Sequence, residues 1–140
     1  MSDEQVFVDT NILVYAHDAK AGLKHRIAKQ KIKSLWERDL PPALSVQVLQ
    51  ESCVNFIRKG MAADEAGKFV ADYLQWDVIA NDTALLLEGL GESRRWKLSL
   101  WDALIVAAAK RAKASILWSE DLNAGQDYGG VVVLNPLALA

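Results

Sequence analysis

Short apolar runs alternate with longer helix-forming segments along this chain, and this alternation restricts its fold more than any other feature. Strand-like runs lie at 6–8, 76–80, 115–119 and within 129–136, with a very short one at 43–45. Helical patterns start at residue 12 and lie at 24–38, 46–58, 63–74, 83–94 and 99–114. Strands separated by helices of this length predict a mainly parallel sheet that is covered by helices on both faces.

The bulk composition predicts one soluble domain over residues 1–140. The chain has 140 residues and is 51% hydrophobic, which is enough to bury a real core. Its longest apolar run, at 103–109, is too short to cross a membrane, and its first residues, MSDEQ, carry acids where a signal peptide carries bases. The single cysteine, Cys53, has no intrachain partner and is expected at an inert core position. We therefore expect a cytoplasmic protein with no membrane association.

The charges are unevenly distributed, although the net charge is only −2. Residues 20–33 are rich in lysine and contain no acid, and Arg94, Arg95 and Lys97 precede the last long helix. Such groups attract a nucleic-acid backbone, but a solvated helix face explains at least half of the lysines equally well. We rank Arg94, Arg95 and Lys97 as the better candidates for RNA contact.

Four acids have unusual surroundings, and each also has an ordinary structural explanation. Asp9 directly follows the strand-like VFV and could simply cap the next helix. Glu51 shares a helical arc with Gln47, Asn55 and Arg58, so it could belong to a solvated face. These two alternatives stay open at the level of the sequence.

The other two acids follow serines at capping distances. Asp102 stands three residues after Ser99, the spacing of a capping box, and Asp121 stands two residues after Ser119. Capping does not explain why Asp9 and Asp121 both follow strands, or why the Asp102 helix leads into the strand before Asp121. In a parallel sheet these three carboxylates gather at one edge, where they repel one another unless a cation neutralises them. Oxygen ligands of this kind select Mg²⁺ or Mn²⁺.

The chain resembles the PIN domain family and, within it, the VapC-type toxins of prokaryotic toxin–antitoxin pairs. The matching pieces are FVDTNILVY, VLQES, SLWDALIVAAAKRAKASILWSEDL and GQDYGGVVVLNP, in this order along nearly the whole chain. The resemblance implies a three-layer α/β/α sandwich and metal-dependent cleavage of RNA that leaves a 5′-phosphate and a 3′-hydroxyl. It also implies a cognate antitoxin partner and a homodimer, and the five tryptophans of this small chain agree with an apolar interface.

The resemblance also assigns roles to residues. The implied catalytic acids are Asp9, Glu51, Asp102 and Asp121. The metal ligands among them are Asp9, Asp102 and Asp121, and the implied polar supports are Asn11 and Ser119. Glu120 and Asp127 are further acids nearby, and whether either joins the site stays open. Two alternatives are a PIN domain that is a non-toxin nuclease or only binds RNA, and a phospho-receiver domain, which the single acid after the first strand disfavours.

Overall fold

The fold is seen in a computed structural model that describes residues 4–138. The first three residues, which belong to the acidic N-terminal segment, and the last two residues of the predicted 1–140 domain lie outside this range. The strands are β1 (Val6–Val8), β2 (Ala43–Ser45), β3 (Asp77–Ile79), β4 (Ile116–Trp118) and β5 (Val132–Leu134). The helices are α1 (Thr10–His17), α2 (Leu23–Trp36), α3 (Val46–Arg58), α4 (Ala63–Tyr73), α5 (Thr83–Trp96) and α6 (Leu100–Arg111), with a short 3₁₀ turn at Ala19–Ala21.

The five strands form one sheet in the order β3-β2-β1-β4-β5, and every neighbouring pair is parallel. The predicted three-layer α/β/α class is confirmed. From the central strand β1 the chain first builds outward through β2 and β3, then returns to β4 and builds outward through β5 on the other side. The connections after β1 and β4 therefore leave in opposite directions, which opens a crevice at the carboxyl ends of these two strands.

The core lies on both sides of β1 and along α6. Phe7 and Val8 are fully buried, as expected for a central strand of a parallel sheet. Helix α6 is buried along the whole of residues 103–109, because its alanines allow close approach of its neighbours. It packs most extensively against α5, and α1 packs against α2 and α3.

The helix ends follow local chemistry. Ser99 caps α6 by accepting a hydrogen bond from the Asp102 N–H at 3.2 Å, as the capping spacing predicted. Helix α5 runs two residues beyond the predicted end, because it stops only at Lys97, which adopts a left-handed conformation with φ 58°. No helix within residues 4–138 has the length and apolar character that a membrane span requires.

Candidate active site

Asp9 lies at the corner where β1 ends and α1 begins, and it does cap that helix. Its Oδ1 accepts a hydrogen bond from the Thr10 N–H at 2.7 Å. Its Oδ2 accepts one from the Ser119 hydroxyl at 2.8 Å and a longer one from the Asn11 amide at 3.4 Å. A cap needs only the first of these bonds. Because Asp9 is only 5% exposed, the other two stabilise a carboxylate that is almost entirely removed from water.

Burial changes the acidity of Asp9. Its pKa is raised from 3.8 to about 6, chiefly because burial disfavours the charged carboxylate. The hydrogen bonds from Ser119 and Thr10 lower the pKa, whereas the negative charges of Asp121 and Glu51 raise it. A cation near Asp9 would favour the ionised form and reverse this effect.

Ser119 and Asn11 connect Asp9 to the turn that follows β4. The buried Ser119 hydroxyl donates to Asp9 and accepts hydrogen bonds from the Asp121 and Leu122 N–H groups, each at 3.2 Å. Asn11 donates to Asp121 Oδ2 at 3.0 Å and accepts from the Glu120 N–H at 3.0 Å. These two polar side chains thus join the ends of the adjacent strands β1 and β4, and they fix the position of Asp121.

Glu51 is exposed on α3, and the face on which it lies is the wall of a cavity. Its Oε1 accepts a hydrogen bond from the Thr10 hydroxyl at 2.6 Å, and its Oε2 accepts one from the Gln47 amide at 3.3 Å. Glu51 is therefore exposed, as the solvated-face alternative expects, but its exposed side chain lines the same cavity as the other three acids. Gln47 itself is buried and also donates to the Trp101 carbonyl at 3.2 Å, which ties α3 to the start of α6.

Asp102 combines two roles in the first turn of α6. Its N–H is the donor in the Ser99 cap, while its partly buried carboxylate faces the cavity. Burial raises the pKa of Asp102, and the nearby charges of Asp121 and Glu51 raise it further. Asp102 therefore takes part in the helix cap through its N–H and lines the cavity with its carboxylate.

The four acids line a single open cavity of about 430 Å³. They come from the end of β1, from α3, from α6 and from the turn after β4. The other lining residues are Thr10, Asn11, Val14, Tyr15, Gln47, Asn55, Lys59, Trp101 and Ile105. The ammonium group of Lys59 is 2.8 Å from Asp18, so its charge is already shared with an acid outside the cavity. The cavity consequently has a strong excess of negative charge.

The acids share this cavity without forming a ready-made cluster of metal ligands. Within residues 4–138, no group of three or more His, Cys, Asp or Glu side chains is arranged to hold a metal ion. In chemical type the donors fit a hard divalent cation, because they are all carboxylate or amide oxygens. Asp9, Asp102 and Asp121 line the same cavity, and their role as metal ligands stays a prediction.

Glu120 and Asp127, the two further acids, do not line the cavity. Glu120 is 2.7 Å from the Lys24 ammonium and accepts a hydrogen bond from the Tyr15 hydroxyl at 2.8 Å. Asp127 accepts a hydrogen bond from the Gly130 N–H at 2.7 Å within its own loop. Each of these two carboxylates thus has a partner away from the four acids.

The predicted RNA-contacting residues also lie outside the cavity lining. Arg94 and Arg95 occupy the last turn of α5, Lys97 ends that helix, and the Arg95 guanidinium stacks on Trp96 at 4.5 Å. Residues that sequence reasoning missed include Thr10, Gln47 and Trp101. The signal for Gln47 is its position one helical turn before Glu51, on the helical arc that the two residues share.

The chain belongs to the PIN domain family, whose family model matches residues 6–126. This assignment replaces the phospho-receiver alternative. A comparison with curated protein sequences gives no significant match.

Several solved structures share the fold over most of their length. A toxin–antitoxin complex from Klebsiella pneumoniae matches at 23% identity and a TM-score of 0.68, covering 94% of this chain and 98% of that chain. Mycobacterium tuberculosis VapC20, a Sarcin-Ricin loop cleaving toxin, matches at 21% identity and a TM-score of 0.67, covering 84% and 92%. Rickettsia felis VapBC2, bound to a DNA fragment from its promoter, matches at 16% identity and a TM-score of 0.63, covering 91% and 96%. At these identities the likeness concerns the fold.

Proposed function

We propose that this protein is an endoribonuclease, the toxin of a toxin–antitoxin pair, that hydrolyses RNA phosphodiester bonds in the acidic cavity. The observation that carries the proposal is that four carboxylates from four separate elements, Asp9, Glu51, Asp102 and Asp121, line one cavity at the crevice of a parallel sheet. Capping explains two of these positions individually but not their common location. The PIN family and the fold shared with VapC20 support RNA as the substrate.

The acidic cavity also supports a role for Mg²⁺ or Mn²⁺. Asp9, Asp102 and Asp121 would hold the ion, because three carboxylates that line one cavity repel one another and a hard cation would offset that repulsion. When bound, such an ion lowers the pKa of a coordinated water and offsets negative charge on the phosphate. Glu51, held by Thr10 and Gln47, would orient the attacking water. The products would be a 5′-phosphate and a 3′-hydroxyl.

RNA must approach a negatively charged cavity, so basic residues outside it have to attract the backbone. Arg94, Arg95 and Lys97 are exposed and lie shortly before the Asp102 helix. We assign them this role. Replacing them should lower the affinity for RNA at low salt. The difference from the wild type should shrink at high salt, because salt weakens contacts to phosphate.

An apolar groove beside the cavity supports an antitoxin partner. It lies between α3, α4 and β3 and is lined by Val46, Leu49, Gln50, Cys53, Val54, Val70, Leu74 and Val78. Cys53 is thus partly buried at this surface, not in the core where it was expected. Val54 is 53% exposed and Leu74 is 59% exposed. A smaller depression shares Gln50 and Val54 with this groove and Glu51 with the acidic cavity, so a bound peptide could extend from one to the other.

The exposed leucines of α5 support self-association. Leu86, Leu87 and Leu90 lie on one stretch of this helix, and Leu87 is 69% exposed. The five tryptophans give weaker support than expected, because Trp76 is buried and two others pack partly against the core. We propose a homodimer through the α5 leucines. Light scattering should give a dimer for the wild type and a monomer for the Leu87→Glu, Leu90→Glu double variant.

The decisive experiment is an RNA cleavage assay with matched carboxylate variants. Wild-type protein should cleave RNA with Mg²⁺ or Mn²⁺ and lose activity in EDTA, whereas Asp9→Asn should be inactive with an unchanged circular dichroism spectrum. Glu120→Gln is the control, since Glu120 neighbours the site in sequence but pairs with Lys24 outside the cavity. Full activity in folded Asp9→Asn would overturn the site assignment.

A nuclease without an antitoxin, or a PIN domain that only binds RNA, is the second candidate. The groove beside the cavity favours the toxin, because it offers a surface for a partner. Co-expression with the product of a small adjacent reading frame should give a complex that Val54→Asp weakens and Leu40→Asp does not. Stable RNA binding with no cleavage under any metal would favour the binding module.

A further inference from the structure

Trp101 is an exposed aromatic residue at the rim of the acidic cavity. It lies in the first turn of α6, directly before Asp102, and is 65% exposed. The aliphatic residues of the described lining, Val14 and Ile105, are buried. An indole that remains in water forgoes the stabilisation that burial of its large apolar surface would give. Its position beside four carboxylates therefore calls for a reason outside the packing of the core.

The backbone that carries Trp101 is firmly held. The Trp101 carbonyl accepts a hydrogen bond from the buried Gln47 amide at 3.2 Å, and the same amide bonds to Glu51 at 3.3 Å. The Ser99 cap fixes the turn from its other end. The indole thus projects from a rigid support whose position is coupled to that of Glu51 and Asp102, and little ordering is needed before it can bind a ligand.

We propose that Trp101 is the stacking platform for a nucleobase of the bound RNA, next to the phosphate that is cleaved. This inference rests on the proposed ribonuclease function. A nucleotide at the cavity places its phosphate near the carboxylates, and its base needs an apolar face that the polar lining does not otherwise offer. Single-stranded RNA is commonly bound by stacking of its bases on aromatic side chains. Tyr15, the other aromatic residue of the lining, already has the Lys24 ammonium over its ring at 5.1 Å.

An RNA base fits this location better than a protein partner. Protein interfaces bury groups of neighbouring apolar side chains, and such groups occur here in the groove beside α3 and on α5. In the cavity lining of the described residues, Trp101 is exposed, whereas the apolar side chains of Val14 and Ile105 are buried and add nothing to an exposed apolar group. We therefore assign Trp101 to base recognition and treat a protein contact as the outcome that would contradict it.

The test measures the affinity of a labelled eight-nucleotide oligoadenylate and of an abasic oligomer of the same length. All variants carry Asp9→Asn, which reduces the charge of the cavity and, under the proposed function, prevents cleavage. Trp101→Ala should lower the affinity for oligoadenylate by about 5-fold to about 150-fold, which corresponds to the loss of one stacked base. Trp101→Phe should retain most of the affinity. Leu40→Ala is the control, because Leu40 is exposed near the opposite end of the sheet.

The abasic oligomer separates stacking from attraction of the backbone. It should bind equally well with and without Trp101, because it carries phosphates but no bases. Equal oligoadenylate affinity of Trp101→Ala and its parent would overturn the stacking role and leave the ribonuclease proposal intact. A change in the oligomeric state of Trp101→Ala with no change in its RNA affinity would indicate a protein contact and would overturn the stacking role in the same way. If the parent binds no RNA and the wild type cleaves none, the proposed function itself fails and the stacking role fails with it.

Discussion

The raised pKa of Asp9 predicts that the stability cost of its charge depends on pH. Because the native state holds the Asp9 proton up to about pH 6 and the unfolded state only to 3.8, the native state binds more protons between these values. Stability contributed by this group therefore falls as pH rises through the window. With the Asp9 carboxylate fully ionised, at pH 7.5, the cost is about 3 kcal/mol, and at pH 5 it is about 1.5 kcal/mol.

Asp9→Asn removes this charge, so its stability relative to the wild type should change with pH. The substitution also alters the hydrogen bonds from Ser119 and Asn11 and thereby adds an offset to the difference in stability. That offset is nearly independent of pH. We expect the stability of Asp9→Asn minus that of the wild type to decrease by about 1.5 kcal/mol between pH 7.5 and pH 5. Urea unfolding followed by circular dichroism, in EDTA at both pH values, measures this change.

Glu120→Gln supplies the control for this experiment. Lys24 chiefly holds the pKa of Glu120 below its usual value, so the stability from that group is present above its unfolded pKa of 4.5 and is lost only at lower pH. The Glu120→Gln difference should therefore stay nearly constant between pH 7.5 and pH 5. A difference for Asp9→Asn that is also constant over this interval would refute the inference that buried negative charge strains the native state.

Three further predictions concern the metal, Glu51 and the packing between α5 and α6. Millimolar Mn²⁺ should raise the melting temperature of the wild type. Asp102→Asn should melt at a higher temperature than the wild type in EDTA, and its melting temperature should rise little on addition of Mn²⁺. An unchanged melting temperature of the wild type in Mn²⁺ would contradict a shared site. Glu51→Gln should lose RNA cleavage while keeping its melting temperature. Full activity of this variant would favour the alternative that Glu51 is an ordinary residue of a solvated helix face. Gly89→Ala should cost about 1–3 kcal/mol by overpacking, because its Cβ would lie 2.5 Å from Leu104 Cδ2. Gly91→Ala, whose Cβ meets no atom within 4 Å, should instead be neutral or stabilising by up to about 1 kcal/mol in urea unfolding.

The fold was predictable because its signals are local and repeated. Each strand of this sheet has three residues, β1, β4 and β5 are entirely apolar, and α3 begins and ends at the predicted residues. The location of Asp9 at a strand end followed directly from VFVDTN. Sheet order was not readable in this way, because the pairing of β1 with β4 joins residues more than a hundred positions apart.

The histidines illustrate a different limit. His17 lies in the last turn of α1 and its residue is exposed, as is typical of a solvated side chain. However, its Nε2 lies 2.6 Å from the Tyr73 hydroxyl, and its ring packs edge-on against Phe69. Burial lowers the pKa of His17 as a result. The residues it contacts come from a helix far away in sequence, so no local pattern around His17 could indicate them.

The neighbouring acids in SEDL show most clearly what only the three-dimensional arrangement decides. Glu120 and Asp121 are adjacent carboxylates in the same turn; the resemblance assigns Asp121 to the site and leaves the role of Glu120 open. Asn11 accepts from the Glu120 N–H while donating to the Asp121 carboxylate, so one side chain fixes both residues in opposite surroundings. Glu120 then meets Lys24, which lowers its pKa, whereas Asp121 faces the cavity and raises the pKa of Asp9 and Asp102. Because Lys24 neutralises Glu120, the excess charge of the cavity comes from Asp9, Glu51, Asp102 and Asp121, the four acids to which the proposed chemistry is assigned.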